Sequence, residues 1–204
     1  MKKIVCAIVP TLVIAFVLGG ISGSAAAQDN TTYAVNYYSN ANTSGAPDAT
    51  LRVINDGDTG GTLCAAFYVF DDSEEMQECC SCPVTADGVI AESLNKYLLA
   101  NSLTSVVNHK GVIKLVSTNA PSGTCDPRVG APTAGIRAWS THIQAGVLLE
   151  SAPVPSRWFI TEAELHNSNL IPSELSDLQQ FCWFEIALGM GHGICACGQE
   201  DQAF

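Results

Sequence analysis

The chain has 204 residues, with 20 Asp and Glu against 9 Lys and Arg, and its formal net charge is −11. This acidic balance argues against binding to nucleic acid or to an anionic membrane surface, because both require a basic protein face. Hydrophobic residues make up 47% of the sequence, which excludes a wholly disordered chain.

The N-terminus is typical of a secretory signal peptide over residues 1–27. Two lysines precede an apolar run of residues 4–21, and small residues ending in SAAAQ offer a cleavage site after Ala27. A membrane anchor is the alternative, since the run is long enough to span a bilayer, but Pro10 and the glycine pair that follows argue against it. We therefore expect a secreted or cell-surface protein, the periplasm included, with no membrane association after cleavage.

Removal of residues 1–27 leaves a chain of 177 residues with a formal charge of −13, since that segment holds two Lys and no acidic residue. This length suits one domain with a core of its own. Residues 28–48 are rich in Asn, Ser, Thr and Gly, and we expect a flexible N-terminal arm with one pairing segment, YAVNYY. Residues 49–204 are expected to form a single β-rich domain.

Short β-branched and aromatic runs separated by turns predict strands throughout this domain. Residues 49–54 and 62–70 flank the loop DGDTGG and predict a hairpin, in which the loop serves as a turn rather than a calcium site. GVIAESLNKYLL is ambiguous between helix and strand, and we assign it to a strand because its neighbours are strands. KGVIKLVST, AGIRAWSTHIQ, AGVLLES and RWFITEAEL follow, the last placing Trp158, Ile160 and Ala163 close to period two.

Seven or eight short strands with frequent turns predict a mainly β fold, an antiparallel β-sandwich. A single α-helix is expected at the C-terminal end, over residues 173–188. Pro172 and Ser173 suit its start and Gly189 its end. Apolar residues at helical spacing are expected to face the core; they are Leu175, Leu178, Phe181, Cys182 and Ile186.

Cysteine usage predicts a disulfide-crosslinked domain. The mature sequence holds an even number of cysteines, and an exported chain oxidises them in pairs. They are Cys64, Cys79, Cys80, Cys82, Cys125, Cys182, Cys195 and Cys197. Adjacent Cys79 and Cys80 point to opposite faces of an extended segment, so we expect different partners. Cys80 and Cys82 share one face, as do Cys195 and Cys197, and a double connection between these two pairs is one hypothesis among the many pairings allowed.

Two other uses of the cysteines stay open. A zinc or copper site would combine CCSC with the C-terminal HGICAC, including His192, although the spacing suits two zinc knuckles poorly. A redox site would use the C-x-x-C of residues 79–82, but the five carboxylates of DDSEEMQE disfavour a thiolate there. We expect that acidic run to be a solvated surface loop, with a cation-binding patch as the alternative.

Catalytic motifs are absent from the sequence. None of the four histidines, His109, His142, His166 and His192, has a metalloprotease spacing, and the mature chain holds no G-x-S-x-G, phosphate loop or dinucleotide fingerprint. His142 would share a strand face with Ser140 and Ala138, and we interpret it as a structural histidine. We therefore expect no cofactor, and the simpler interpretation is that the protein is not an enzyme.

The segments GTLCAAFYVFDDSEEMQECCSCPVTADG, GVIKLVS, GIRAWSTHIQ, ELSDLQQFCWFEIALG and CAC, taken together, resemble a group of exported, cysteine-rich acidobacterial proteins. The resemblance spans most of residues 50–197. It implies export and a shared fold, and no activity or site residue follows from it.

These observations favour a secreted or cell-surface structural or binding module that acts in assembly or adhesion through exposed strand edges. Its partners would be further copies of itself or other envelope and extracellular proteins. The alternative is an extracytoplasmic zinc- or copper-binding protein that uses the Cys/His-rich segments. A second alternative is a secreted hydrolase whose catalytic residues are far apart in sequence.

Counting thiols in the denatured, unreduced protein separates the first two functions. We expect all eight mature cysteines to resist alkylation, because disulfides leave no thiol. Several alkylated cysteines together with stoichiometric zinc or copper would contradict the disulfide prediction and support coordination.

Overall fold

A computed structural model of the protein describes residues 32–100, 106–120, 123–146 and 157–189, together with 195 and 197. Within them the chain forms nine strands and one α-helix: β1 Tyr33–Tyr38, β2 Thr50–Asn55, β3 Leu63–Asp71, β4 Met76–Val84, β5 Val89–Ser93, β6 Gly111–Asn119, β7 Ile136–Ala145, β8 Trp158–Glu164, β9 His166–Asn167 and α1 Pro172–Ala187. The expected signal peptide, His192 and most of the AGVLLES segment lie outside the described residues.

The strands form two sheets, both entirely antiparallel. One has the order β4-β3-β6-β1-β9 and the other β5-β2-β7-β8. The sheets pack face to face, with Phe67 and Leu115 of the first meeting Leu51 and Val53 of the second in one buried cluster. This confirms the predicted disulfide-crosslinked β-sandwich with one C-terminal helix. The described residues contain nine strands, whereas the sequence predicts seven or eight, because β9 has only two residues and is too short to be recognised from a sequence pattern.

Strand β3 is apolar on both faces because both faces are covered. Phe67 and Val69 point into the space between the sheets, whereas Ala66 and Tyr68 point to the opposite face, where α1 packs. A continuous apolar run, LCAAFYVF, replaces the alternation that a half-exposed strand would show. The α-helix therefore forms a third layer over the five-stranded sheet.

The helix begins with Pro172 in its first turn, where the missing N–H costs nothing. It ends at Ala187, and Gly189 follows the C-cap Leu188 with a φ of +94°, which suits glycine, and donates its N–H to Ile186 O. Leu178 and Cys182 are buried against the sheet, as predicted. The prediction for Phe181 is wrong: its side chain is 51% exposed, since it lies about 100° around the helix from Cys182.

The predicted hairpin between residues 49–54 and 62–70 is also wrong, because β2 and β3 belong to different sheets. The connection between them crosses the sandwich and is held by the buried side chain of Asn55. Its Nδ2 donates to Gly61 O and Val84 O, and its Oδ1 accepts from Gly57 N. A hydrophobic pattern indicates that two strands exist, but it does not indicate which sheet each joins.

The segment YAVNYY, expected as the only pairing part of a flexible arm, is β1, an interior strand between β6 and β9. The residues after it are also tied to the domain: Asn40 Nδ2 donates to Ile143 O at 2.7 Å, and Ala41 is buried. The sheet therefore starts at Tyr33, ahead of the boundary at residue 49 that composition suggests.

GVIAESLNKYLL combines both structures that its pattern allowed. Its first part is β5, and a single π-helical turn, Leu94–Leu98, follows directly. Ser93 Oγ accepts the N–H of Lys96 and so caps that turn. Among the described residues, no helix is long and apolar enough to cross a bilayer.

The helix orientation can be tested by two truncations. Leu178→Ala should lower the free energy of unfolding by about 2–5 kcal/mol, because it leaves a cavity under α1, whereas Phe181→Ala should change it by less than about 0.5 kcal/mol. Denaturant titration without reductant measures both. Equal losses would contradict the orientation described here.

Candidate functional site

The eight cysteines that follow residue 27 all form disulfides: Cys64–Cys125, Cys79–Cys182, Cys80–Cys195 and Cys82–Cys197. Three of the four bonds start from β4, on its two faces. Cys79 bonds the helix on one face, while Cys80 and Cys82 bond the C-terminal CAC segment on the other, as strand alternation predicts. The segment CCSC is therefore a structural crosslink between β4, α1 and the C-terminal chain.

This pairing removes the sulfur ligands from the metal-site hypothesis. Cys82, Glu92 and Cys195 do place potential ligand atoms within 4.8 Å of one another. Both sulfurs are disulfide-bonded, so neither supplies the thiolate that zinc or copper would need. The Glu92 carboxylate instead accepts the backbone N–H of Cys197 at 2.7 Å, which ties the C-terminal chain to β5.

The disulfides also decide which sheet edges stay open. Among the strands of the described residues, four lie at sheet edges: β4, β5, β8 and β9. Cys195 and Cys197 are bonded to β4, and Cys197 also contacts β5, so these two edges lie on the crosslinked side of the sandwich. Strand β9 has only two residues. Strand β8, with seven residues, is the long edge on the other side.

Strand β8 is exposed along almost its whole length. Every residue from Phe159 to Glu164 is exposed, and the apolar side chains of Phe159 and Ile160 are 50% and 59% accessible. The corresponding edge of the other sheet is the short β9, so little of that sheet covers β8. The period-two spacing of Trp158, Ile160 and Ala163 does predict a strand, but Ile160 and Ala163 are exposed because neither face of this strand is fully covered.

The outer edge of β8 directs backbone groups away from the sheet at alternate residues. Leu165 N donates to Ala138 O and Gly146 N donates to Arg157 O, each at 2.8 Å. Hydrogen-bonded pairs alternate in an antiparallel ladder, so the odd-numbered residues of this strand bond to β7. The N–H and C=O groups of the even-numbered residues, 158 to 164, therefore point outward, where an added strand would pair with them.

Two ion pairs neutralise the acidic side chains of this edge. Arg52 reaches across β7 to Glu162 at 2.7 Å, and Arg137 contacts Glu164 at 2.5 Å. Such exposed pairs add little to stability. Their effect here is electrostatic, since a neutralised edge does not repel an approaching acidic chain. Strand β8 also has none of the Lys, Pro or bulges that usually protect an exposed edge.

A buried polar cluster joins the two sheets behind this edge. Asn36 Nδ2 of β1 donates to Ser140 Oγ of β7 at 2.7 Å and lies 3.2 Å from His142 Nε2. Ser140 and His142 share one face of β7, which confirms the prediction made from alternation. Burial lowers the pKa of His142, so its imidazole is neutral at neutral pH.

This cluster has part of the geometry of a hydrolase. Ser140 Oγ lies 3.3 Å from His142 Nε2. However, the two side chains are only 5% and 7% exposed, and His142 Nδ1 has no hydrogen-bond partner among the described residues, so no acid orients the ring. The arrangement is structural: it links β1 to β7 by hydrogen bonds. Sequence analysis missed Asn36, although its interior position between Ala34 and Tyr38 in YAVNYY could have indicated it.

The acidic run DDSEEMQE is solvated only in part. Its residues 72–75 form the exposed β3–β4 turn, as expected, but Asp71 and Glu78 are buried. Glu78 is 1% exposed; its Oε1 accepts the N–H of Cys79, and its Oε2 has no partner among the described residues. Burial, aided by the nearby carboxylate of Glu185, raises the pKa of Glu78 to about 8. The solvated-loop prediction is wrong for these two residues.

Comparisons with known proteins give little. No family model matches the sequence, and no curated protein matches it. The crystal structure of Thermotoga maritima 1070 is similar over 68% of this chain and 96% of its own, with 8% sequence identity and a TM-score of 0.41. The resemblance to exported acidobacterial proteins stays a prediction.

The buried Glu78 predicts a pH dependence of stability. The pKa of the Glu78 carboxyl is near 4.5 in the unfolded chain and about 8 in the folded protein. Between pH 4.5 and pH 8 the carboxyl is therefore protonated to a greater extent in the folded state. The free energy of unfolding should therefore fall as pH rises from about 4.5 to about 8. Glu78→Gln should weaken this decline, leaving the part due to Glu185, whose pKa burial also raises, and should stabilise the protein at pH 8 by roughly 1–4 kcal/mol.

Denaturant titrations at several pH values measure this effect. Glu74→Gln, on the exposed turn, is the matched control and should follow the wild-type curve. A Glu78→Gln curve that parallels the wild type across this range would contradict the assignment.

Proposed function

We propose that the protein is a secreted or cell-surface structural module that assembles or adheres by adding a strand of a neighbouring molecule to the open edge of β8. The observation that carries this proposal is the exposure of β8: a seven-residue edge strand with accessible Phe159 and Ile160 and with outward backbone groups at every second residue. Strand addition uses these features, because main-chain hydrogen bonds supply affinity and side-chain contacts supply specificity.

The disulfides support an extracytoplasmic site of action. Four bonds in one domain are stable where the surroundings are oxidising, which agrees with the signal peptide expected in residues 1–27. They also favour a scaffold role. A β-sandwich crosslinked on one side presents its opposite edge in one conformation, so little entropy is lost when a strand docks.

The chemistry of β8 defines the class of partner. The partner segment would be extended and would place apolar side chains against Phe159 and Ile160, which are the accessible apolar groups of the edge. Because Glu162 and Glu164 are neutralised by Arg52 and Arg137, acidic partners are tolerated. Nucleic acid is disfavoured by the charge of −13 that the chain carries without residues 1–27.

A proline at position 160 tests this function. The N–H of Ile160 points outward, so Ile160→Pro should remove one outward donor and block an added strand while keeping the β7–β8 hydrogen bonds. In the organism that exports the protein, we expect wild type in assemblies or retained in the envelope fraction. Ile160→Ala should be retained to a smaller extent because it loses one apolar contact, and Ile160→Pro should be released as a monomer. Size-exclusion chromatography of native extracts measures the difference.

Two controls make the outcome decisive. The Pro and Ala variants should unfold at similar temperatures, which shows that the ladder to β7 is intact. In assembled material the amide of Glu162 should be protected from hydrogen exchange, whereas in the monomer only its neighbour Thr161 should be protected. Retention of Ile160→Pro in assemblies of unchanged size, or a monomeric wild type in native extracts, would refute strand addition.

A further inference from the structure

The helix α1 exposes an apolar surface that the sandwich does not use. Leu178 and Cys182 hold one side of α1 on the five-stranded sheet, and the other side presents four large apolar residues. These are Phe181, Trp183, Phe184 and Leu188, which are 51%, 61%, 56% and 67% exposed. Phe181, Phe184 and Leu188 follow one another at spacings of three and four residues, so they form a continuous stripe along the helix.

An open groove of about 400 Å³ runs beside this stripe. Arg128, Gln179, Gln180, Trp183 and Phe184 line it. The Arg128 wall is rigid, because Asp126 holds the guanidinium through two hydrogen bonds of 2.9 and 2.7 Å. The neighbouring disulfide Cys64–Cys125 anchors the same loop to β3. A held guanidinium that lines the same groove as Trp183 and Phe184 suits the insertion of a further aromatic ring.

We infer that this outer surface of α1 is a contact between two copies of the chain, related by a two-fold axis, with Trp183 of each copy seated in the groove beside Arg128 of the other. A two-fold contact brings the same patch of both copies together. The patch supplies both halves that such a contact needs: the exposed ring of Trp183 and the groove of about 400 Å³ that this ring lines together with Arg128.

The exposed area fits a dimer. At about 200 Å² for each aromatic residue, the three exposed aromatic residues offer roughly 350 Å² per copy. With Leu188 and the flanking glutamines, two copies would bury about 1,000 Å² in total, the lower bound for a specific protein interface. We therefore expect a reversible dimer rather than an obligate one.

Charge favours a second copy over a membrane and sets the direction of the helices. The helix α1 contains no Lys or Arg, whereas helices that lie on anionic bilayers carry basic residues on their polar face. The acidic residues of α1 are Asp177, which is exposed, and Glu174 and Glu185, which are partly buried near its two ends. Antiparallel packing of two helices aligns the helix dipoles favourably.

This contact goes beyond the strand addition proposed for β8 and does not depend on it. The two surfaces lie on different elements, α1 over the five-stranded sheet and β8 at the edge of the four-stranded sheet. A molecule that uses both has two attachment points, which is what an open linear assembly requires.

Sedimentation equilibrium of the oxidised mature chain, residues 28–204, tests the dimer. We expect a monomer–dimer equilibrium with a dissociation constant near 10 µM, tightened by added NaCl because salt screens repulsion between two acidic copies. Trp183→Ala and Phe184→Ala should each raise the dissociation constant at least about tenfold. Both side chains are exposed, so their unfolding temperatures should stay close to that of the wild type.

Ile160→Pro is the matched control and should leave the dissociation constant unchanged, so failure of this contact is distinguishable from failure of strand addition. A monomer at all concentrations up to about 100 µM, or a dimer that both α1 variants retain, would overturn the inference. Co-sedimentation of a monomeric wild type with phosphatidylcholine and phosphatidylglycerol vesicles, lost in Trp183→Ala, would also overturn it and assign α1 to a membrane surface.

Discussion

The structure depends on the crosslinking of one edge strand, β4, on both of its faces. Cys79 bonds α1 through Cys182, while Cys80 and Cys82 bond the C-terminal chain through Cys195 and Cys197. Because side chains alternate along a strand, three cysteines within four residues reach partners on both sides of the sheet. These covalent bonds hold the helix layer and the C-terminal chain to the sandwich at a single strand. The segment CCSC is thus explained by its structural role.

This one-sided crosslinking makes the two ends of the sandwich unequal. At the β4 and β5 end, the C-terminal residues are bonded to one sheet, and Cys197 N donates a hydrogen bond to Glu92 of the other sheet. At the opposite end β9 is too short to cover β8, so a long apolar edge strand stays accessible. Soluble proteins usually protect such edges. An unprotected edge beside a disulfide-bonded body is the physical basis of the assembly role that we propose.

The same crosslink sets the rotation of α1. The bond at Cys182 and the burial of Leu178 direct one side of the helix to the sheet, and helical geometry then turns Phe181, Phe184 and Leu188 outward. Buried polar groups lower the stability elsewhere in the fold. The Glu78 carboxyl is removed from water and receives one hydrogen bond, and His142 is held neutral beside Asn36 and Ser140. A domain with four disulfides can tolerate these unfavourable burials.

Local patterns in the sequence determined the export signal that we expect, the strands, the helix, the shared face of Ser140 and His142, and the opposed directions of Cys79 and Cys80. These features follow from periods of two and 3.6 residues, which are properties of neighbouring residues. Only the tertiary structure decided that β2 and β3 lie in different sheets, that Glu78 is buried, that Phe181 is exposed and that β8 is the open edge. Each of these depends on contacts between residues far apart in the chain, and no local period carries that information.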